Sequence, residues 1–337
     1  MSNDGRAPVP TLKSRIHGCL LGGALGDAAG YAVDIPGGLF SDDTQLTLYT
    51  VDGLVEALEW ANAGVGADVN ACLWLAYLRW LATQGEDAGP SAPVPQPRWI
   101  DGNEVLRRRR DPEQDCISGL ATGEMGTAAR PVNPSSKGRG TVMRSAPFGL
   151  VPHITPDAVY KLSTDAAALT HGHPAARQSA GVFSLLIHRL VSGEELRAAA
   201  EAVTAHAAGL PDVAPELPRR LEAALRLAGS VHAPGEPAEA LGGGDAAEEA
   251  LAVALYSALA TIPHSGSALP SQHFNDAVAL AVGHGSARDT AGALTGSILG
   301  ASYGEVCLPA RWLDVLEGTE VVRGMADQLV GVTTGEG

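Results

Sequence analysis

The chain has 337 residues, 45% of them hydrophobic and 18% charged, with a formal net charge of −15. That length buries a sizeable core, while the acidity sets the surface field against DNA or RNA as a main partner. Aromatics at 4%, beside abundant alanine and glycine, favour closely packed helices over strands, which prefer bulky β-branched and aromatic residues.

Residues 1–10 are polar, carry no signal peptide and read as a disordered leader. A single domain is expected over residues 11–332, followed by a frayed tail at 333–337. Residues 15–30 are rich in Gly and Ala, with Gly18, Gly22, Gly26 and Gly30 spaced by four on one helical stripe. Each glycine costs about 1 kcal/mol against alanine inside a helix, and close approach of another backbone is the usual compensation. Gly292, Gly296, Gly300 and Gly304 repeat the device near the other end. Either the two stripes pack on each other at short range, or each receives large side chains from elsewhere.

Between them the apolar spacing predicts helices over residues 46–63, 72–81, 158–169, 176–190, 193–208 and 217–227. Residues 84–97 form a Pro/Gly-rich loop and 232–248 a flexible one. The basic run Arg107–Arg110 reads as a solvated helix face ended by Asp111-Pro112, with a phosphate-facing patch as the alternative. The longest apolar run, 250–262, is too short to span a bilayer and reads as a buried core helix ended by Pro263. The four cysteines, Cys19, Cys72, Cys116 and Cys307, lack metal-ligand spacing, so reduced thiols and a cytoplasmic location are expected.

Two oxygen-rich clusters carry the chemistry. Ser41-Asp42-Asp43-Thr44-Gln45 precedes an amphipathic helix. Its first residues suit an N-cap, but two adjacent carboxylates exceed what a cap needs. At a helix start both can turn inward, where the helix dipole favours negative charge. An all-oxygen set suits a hard cation such as Mg²⁺ or Mn²⁺. The second cluster, Asp289-Thr290, opens the second glycine-striped helix and also fits an N-cap. Close packing of the striped helices would bring the clusters together.

The opening Gly18-Cys19-Leu20-Leu21-Gly22-Gly23-Ala24-Leu25-Gly26-Asp27-Ala28, followed by residues 41–45, resembles that of the ADP-ribosylglycohydrolases, including the dinitrogen-reductase-activating type. Residues 136–147, the turn Thr170-His171-Gly172-His173-Pro174 and residues 281–301 are similar to later family landmarks, in the family's order. The resemblance implies an all-α domain with a Mg²⁺ centre at the base of a cleft, and ADP-ribose or an ADP-ribosylated protein as partner. It implies Ser41, Asp42, Asp43, Asp289 and Thr290 as metal ligands, for one or two ions. Ser136, Lys137, Gly138, Arg139, Gly140, Arg144, His171 and His173 would line the ADP-ribose site. Asp289, and Asp34 in place of a family glutamate, would serve catalysis.

Three departures qualify the expectation. Ala287 stands where the family has a carboxylate, which weakens one cation site; Arg288 beside it is a candidate electrostatic substitute. The segment between Asp27 and Ser41 is short and carries Asp34 rather than glutamate. Arg139 replaces a smaller residue and adds bulk, or a phosphate contact. The expected function is a Mg²⁺-dependent hydrolase releasing ADP-ribose from a modified target. The alternative is a catalytically inactive ADP-ribose-binding or regulatory protein on the same fold.

Overall fold

A computed structural model describes residues 9–31, 38–233, 235–263 and 269–334. Most of the expected leader, the last three tail residues and the short segment bearing Asp34 lie outside the described residues. Among the described residues, fifteen α-helices follow in order: α1 (Leu12–Tyr31), α2 (Asp42–Asn62), α3 (Val69–Thr83), α4 (Gln114–Ala121), α5 (Ala146–Gly149), α6 (Pro156–Ala167), α7 (Pro174–Val191), α8 (Leu196–Ala208), α9 (Glu216–Ala228), α10 (Glu236–Leu241), α11 (Ala247–Ala260), α12 (Pro270–Val282), α13 (Arg288–Tyr303), α14 (Ala310–Leu313) and α15 (Thr319–Thr334). Among the described residues no strand forms, and one isolated antiparallel bridge joins Gly138 to Ala246. The fold is all-α, as the composition and the resemblance imply.

The centre of the molecule is the pair α1 and α13. Every residue of α1 from Arg15 to Ala28 is buried, and every residue of α13 from Thr290 to Ala301. The two glycine stripes face each other in antiparallel register. A Cβ built on Gly18 would lie 2.6 Å from the Gly300 carbonyl oxygen, one on Gly22 2.4 Å from that of Gly296, and one on Gly26 2.0 Å from that of Gly292. Backbone meets backbone, so the expense of glycine inside both helices is compensated by their approach. Of the two readings the sequence left open, mutual packing is the one realised. Its register sets the C-terminal end of α1 against the first residues of α13: Gly30 lies against the Arg288 carbonyl and the Asp289 amide nitrogen.

Arg15 ties this pair to its surroundings. Its Nη1 donates to the carbonyls of Ala301 at 2.7 Å and Ser302 at 2.5 Å near the end of α13, and to Leu190 at 3.0 Å near the end of α7. A guanidinium satisfies carbonyls that helix ends leave unpaired, and its charge suits the negative end of the dipole. The 250–262 run becomes α11, buried on nearly all sides and ending before Pro263, as its hydropathy predicts.

Three local expectations change. Residues 232–248 are not one flexible loop. They contain α10 and a clasp in which the amide of Ser286 donates to the Gly243 carbonyl and His284 Nε2 bonds the Gly242 carbonyl. The basic run is not a helix face. Only Arg107 belongs to a short 3₁₀ turn, and Arg110 is buried, donating to the Phe40 carbonyl and pairing with Glu317 at 2.5 Å. Two long helices, α12 and α15, lie outside the elements expected from sequence. In α15 the buried residues Val321, Val322, Met325, Ala326, Leu329 and Val330 keep a plain helical rhythm that would have revealed it.

Candidate active site

The antiparallel crossing of α1 and α13 brings two helix N-termini to one place. Asp27, fully buried on α1, accepts hydrogen bonds from the Ser41 amide at 3.0 Å and from the amide and hydroxyl of Thr44 at 3.1 and 2.5 Å. It thereby fixes the start of α2 against the end of α1. Ser41 caps α2, its Oγ accepting from the Asp43 amide at 3.1 Å. Asp42 Oδ2 accepts from the Glu113 amide at 2.9 Å. Asp43 is 1% exposed, and its Oδ2 has no hydrogen-bond partner. From the other side, Asp289 and Thr290 open α13.

Burial dominates the electrostatics. It pushes Asp27 up to about 7, opposed by the Thr44 bond and reinforced by the charge of Asp289. Asp42 and Asp43 are held well above the usual carboxylate range, again first by burial and then by neighbouring carboxylates including Asp289; the Glu113 amide works the other way on Asp42. Several buried carboxylates that repel one another call for a compensating cation.

The loop before α5 lies across this centre. Arg139 is partly buried; its Nε–H donates to Thr290 Oγ1 at 2.9 Å, with Nη2 3.9 Å from Asp289 Oδ2 and Nη1 3.9 Å from Asp245 Oδ1. Burial disfavours its charge, but Asp43, Asp289 and Asp42 together raise its pKa above the ordinary value. Lys137 is exposed and its carbonyl accepts from the Ala247 amide at 3.0 Å. Ser136 is bonded to the Asp115 carboxylate, so its hydroxyl is already engaged.

Behind the loop runs a buried network. Glu113 accepts from the Cys116 amide at 2.8 Å and lies 3.4 Å from His171 Nε2. Arg144 is 2% exposed, stacks on Tyr77 at 4.4 Å from the ring centroid, and donates to Cys116 Sγ at 3.2 Å and Thr170 Oγ1 at 2.7 Å. Gly138 and Gly140 pack onto it: a Cβ on Gly138 would lie 2.4 Å from a Glu113 oxygen, and one on Gly140 2.6 Å from Cys116 Sγ.

With this geometry in view, the comparisons with known proteins decide the family. The ADP-ribosylglycohydrolase family model matches residues 8–337. The chain belongs to the ADP-ribosylglycohydrolase family. A solved structure described as an ADP-ribosylglycohydrolase-related protein complex is similar at 25% identity, with a TM-score of 0.65, over 96% of this chain and 99% of that one. No curated protein matches the sequence.

Against the family expectation, the residues divide into three groups. Ser41, Asp42 and Asp43 open α2, and Asp289 and Thr290 open α13, close enough for the Asp289 charge to raise Asp42 and Asp43, with Arg139 bonded to Thr290. Arg144 and His171 lie in the buried network, and His173 caps α7 by accepting from the Ala175 amide at 3.1 Å. Asp34 lies outside the described residues. Arg288, the guanidinium expected near the missing carboxylate, is exposed; the guanidinium that faces Asp289 is that of Arg139. Ala287 is buried, packed towards Gly244, where a Cβ would stand 3.2 Å from that of Ala287.

Family members generally bind divalent metals. The donors here have the chemistry of a hard-cation site, all oxygens with the buried Asp43 Oδ2 unpartnered, but the carboxylate oxygens of Asp42, Asp43 and Asp289 do not all lie within 4.8 Å of one another, so an ion would draw them closer. Among the described residues, one group of three His, Cys, Asp or Glu has ligand atoms all within 4.8 Å: Glu113, Cys116 and His171. That group has the spacing of a ligand set but is satisfied by protein contacts, and burial raises the Cys116 thiol well above its usual range. Glu113, Asp245 and the positioning role of Asp27 carry no distinct motif in the sequence. Gly242-Gly243-Gly244 beside Asp245 was the available signal, since three successive glycines permit a close backbone approach.

Proposed function

We propose that the protein is a Mg²⁺-dependent hydrolase that releases ADP-ribose from a modified target. The observation that carries this reading is the unpartnered, buried Asp43 Oδ2 among Ser41, Asp42 and Asp289 at two converging helix N-termini. Those residues would hold the ion, which when bound supplies a template for the ribose and stabilises developing charge. Asp27 orients the cluster through the Ser41 and Thr44 amides. Gly138 and Gly140 let the loop pack closely on Glu113 and Cys116, and the exposed Lys137 offers a positive charge to a phosphate at its edge. Asp289 is the carboxylate proposed to assist the attacking water, with Asp34 the second candidate. Arg144, His171 and His173 act in this reading by holding the loop rather than by touching the ligand.

A second reading, an ADP-ribose-binding protein without hydrolytic activity, rests on Ala287. A methyl group cannot ligate a cation, so one of the expected ligands is missing. Release of ADP-ribose from arginine- and serine-ADP-ribosylated protein, with Mg²⁺ and with EDTA, separates the two. Mg²⁺-dependent release, abolished in Asp43→Asn, supports the hydrolase. ADP-ribose binding without release supports the second reading, and absence of both refutes each.

A further inference from the structure

The carboxylate centre receives a positive charge from the chain itself. With a cation bound and all three ionised, Asp42, Asp43 and Asp289 contribute three formal negative charges; Asp27 is turned to the amides of α2, and Asp245, 3.9 Å from Arg139 Nη1, is largely exposed to solvent. One divalent ion leaves a single negative charge uncompensated, which is the charge of one guanidinium. Arg139 supplies it from across the fold, its Nε–H donating to Thr290 Oγ1 over a sequence separation of 151 residues, with Nη2 3.9 Å from Asp289 Oδ2. The bond also takes up one lone pair of the Thr290 hydroxyl, which has only two. Thr290, engaged by Arg139, stands in the first turn of the helix that Ala287 precedes. Asp43 Oδ2 keeps its unpartnered position within the cluster.

We propose that Arg139 is the resident counter-cation of this centre, standing in for one divalent ion, so that the centre takes a single ion while Arg139 is in place. The proposal rests on the reading of Asp42, Asp43 and Asp289 as metal-binding. It accounts together for Ala287 and for a guanidinium in the loop: loss of a carboxylate and loss of an ion are balanced by one fixed positive charge. An arginine is suited to this, because it stays charged when partly buried and its planar fork bonds a hydroxyl and faces a carboxylate at once.

The test uses the full chain and Mn²⁺ alone as probe. Isothermal titration and electron paramagnetic resonance give stoichiometry and affinity for wild type, Arg139→Gln and Arg139→Lys; melting is followed in EDTA and in Mn²⁺. Wild type is expected to bind one Mn²⁺. Arg139→Gln should bind a second ion, or the first at least about tenfold more tightly. It should melt lower than wild type in EDTA and show a larger Mn²⁺-induced rise, because a ligand of the native state stabilises by mass action. Arg139→Lys, which keeps the charge, should stay at one ion even if Arg139→Gln fails to fold.

Two ions in wild type overturn the proposal, as does the absence of Mn²⁺ binding. An Arg139→Gln protein that loses the same melting temperature with and without Mn²⁺ also overturns it, since that is what a packing role predicts. Melting with ADP-ribose is measured in parallel. A shift with ADP-ribose but no gain in Mn²⁺ binding removes this inference and leaves the proposed function. A gain in Mn²⁺ binding without any ADP-ribose shift does the reverse.

Discussion

Replacing Gly26 by alanine should do more damage than any exposed glycine change, and the structure gives the size. The new Cβ would stand 2.0 Å from the Gly292 carbonyl oxygen and 2.5 Å from its carbon, where ordinary contact begins at 3.4 Å. Both neighbours are backbone, so no side chain can rotate away. The helices must part by about 1.4 Å at this layer, enough to forfeit a large share of the dispersion attraction along the crossing. Overpacking of this kind costs roughly 3 kcal/mol at its upper range. The better helix propensity of alanine returns about 1 kcal/mol, leaving a net loss of about 2 kcal/mol. In a chain of this size that lowers the melting temperature by roughly 3 °C.

Gly331 supplies the control: it lies within α15, and a Cβ there meets nothing within 4 Å. Gly331→Ala should stabilise by up to about 1 kcal/mol. Thermal and urea unfolding, followed by far-ultraviolet circular dichroism, compare the three proteins. Gly26 also precedes Asp27, so Gly26→Ala should weaken Mn²⁺ binding as α13 moves away from α2. If Gly26→Ala melts at or above wild type while Gly331→Ala behaves as stated, the close crossing is not what holds α1 to α13.

Arg15→Met should cost about 3 kcal/mol in urea unfolding, because it removes a charged donor from three carbonyls; a loss below about 1 kcal/mol would show that water replaces it. Glu113 is held down at about 2: burial opposes ionisation, but the bond and charge of His171 and the Cys116 amide outweigh it. A depressed carboxylate stabilises above its unfolded value and loses that contribution as pH falls through the folded value. From 4.5 down to about 2 the loss is up to about 3 kcal/mol. Stability measured by urea unfolding across that range should therefore fall more steeply for wild type than for Glu113→Gln, and equal slopes would refute the pairing. Ala287→Asp alone should leave the count at one Mn²⁺, because the new carboxylate would pair with the guanidinium, whereas Ala287→Asp with Arg139→Gln should bind a second ion more tightly than Arg139→Gln alone. Metal analysis of the single and double variants checks this, and a second ion in the single variant would count against it.

Much of this protein is legible in local sequence. Helical periodicity names the core-facing residues of α2, α3, α7 and α11, and the period-four glycines announce that α1 and α13 carry backbone contacts. The oxygen clusters at Ser41–Asp43 and Asp289–Thr290 stand at helix starts, where capping and the dipole make such residues readable one element at a time. The family resemblance adds what these carboxylates would hold. None of this says which helix meets which. Either reading of the glycine stripes satisfied the sequence, and only the packed structure shows Gly26 against Gly292.

The same limit applies within the site. Arg288 is next to Asp289 in sequence and points to solvent, whereas Arg139 reaches Thr290 from a loop 151 residues away. Arg144 and His171 sit beside the glycine loop in the sequence pattern yet are buried beneath it, paired with Cys116 and Glu113. Local sequence indicated most of the long helices, α12 and α15 excepted, and where the oxygen clusters stand at their starts, because those depend on residues three or four positions apart. Tertiary structure decided which charge faces which, because a guanidinium settles where the summed field of several distant carboxylates outweighs its loss of water.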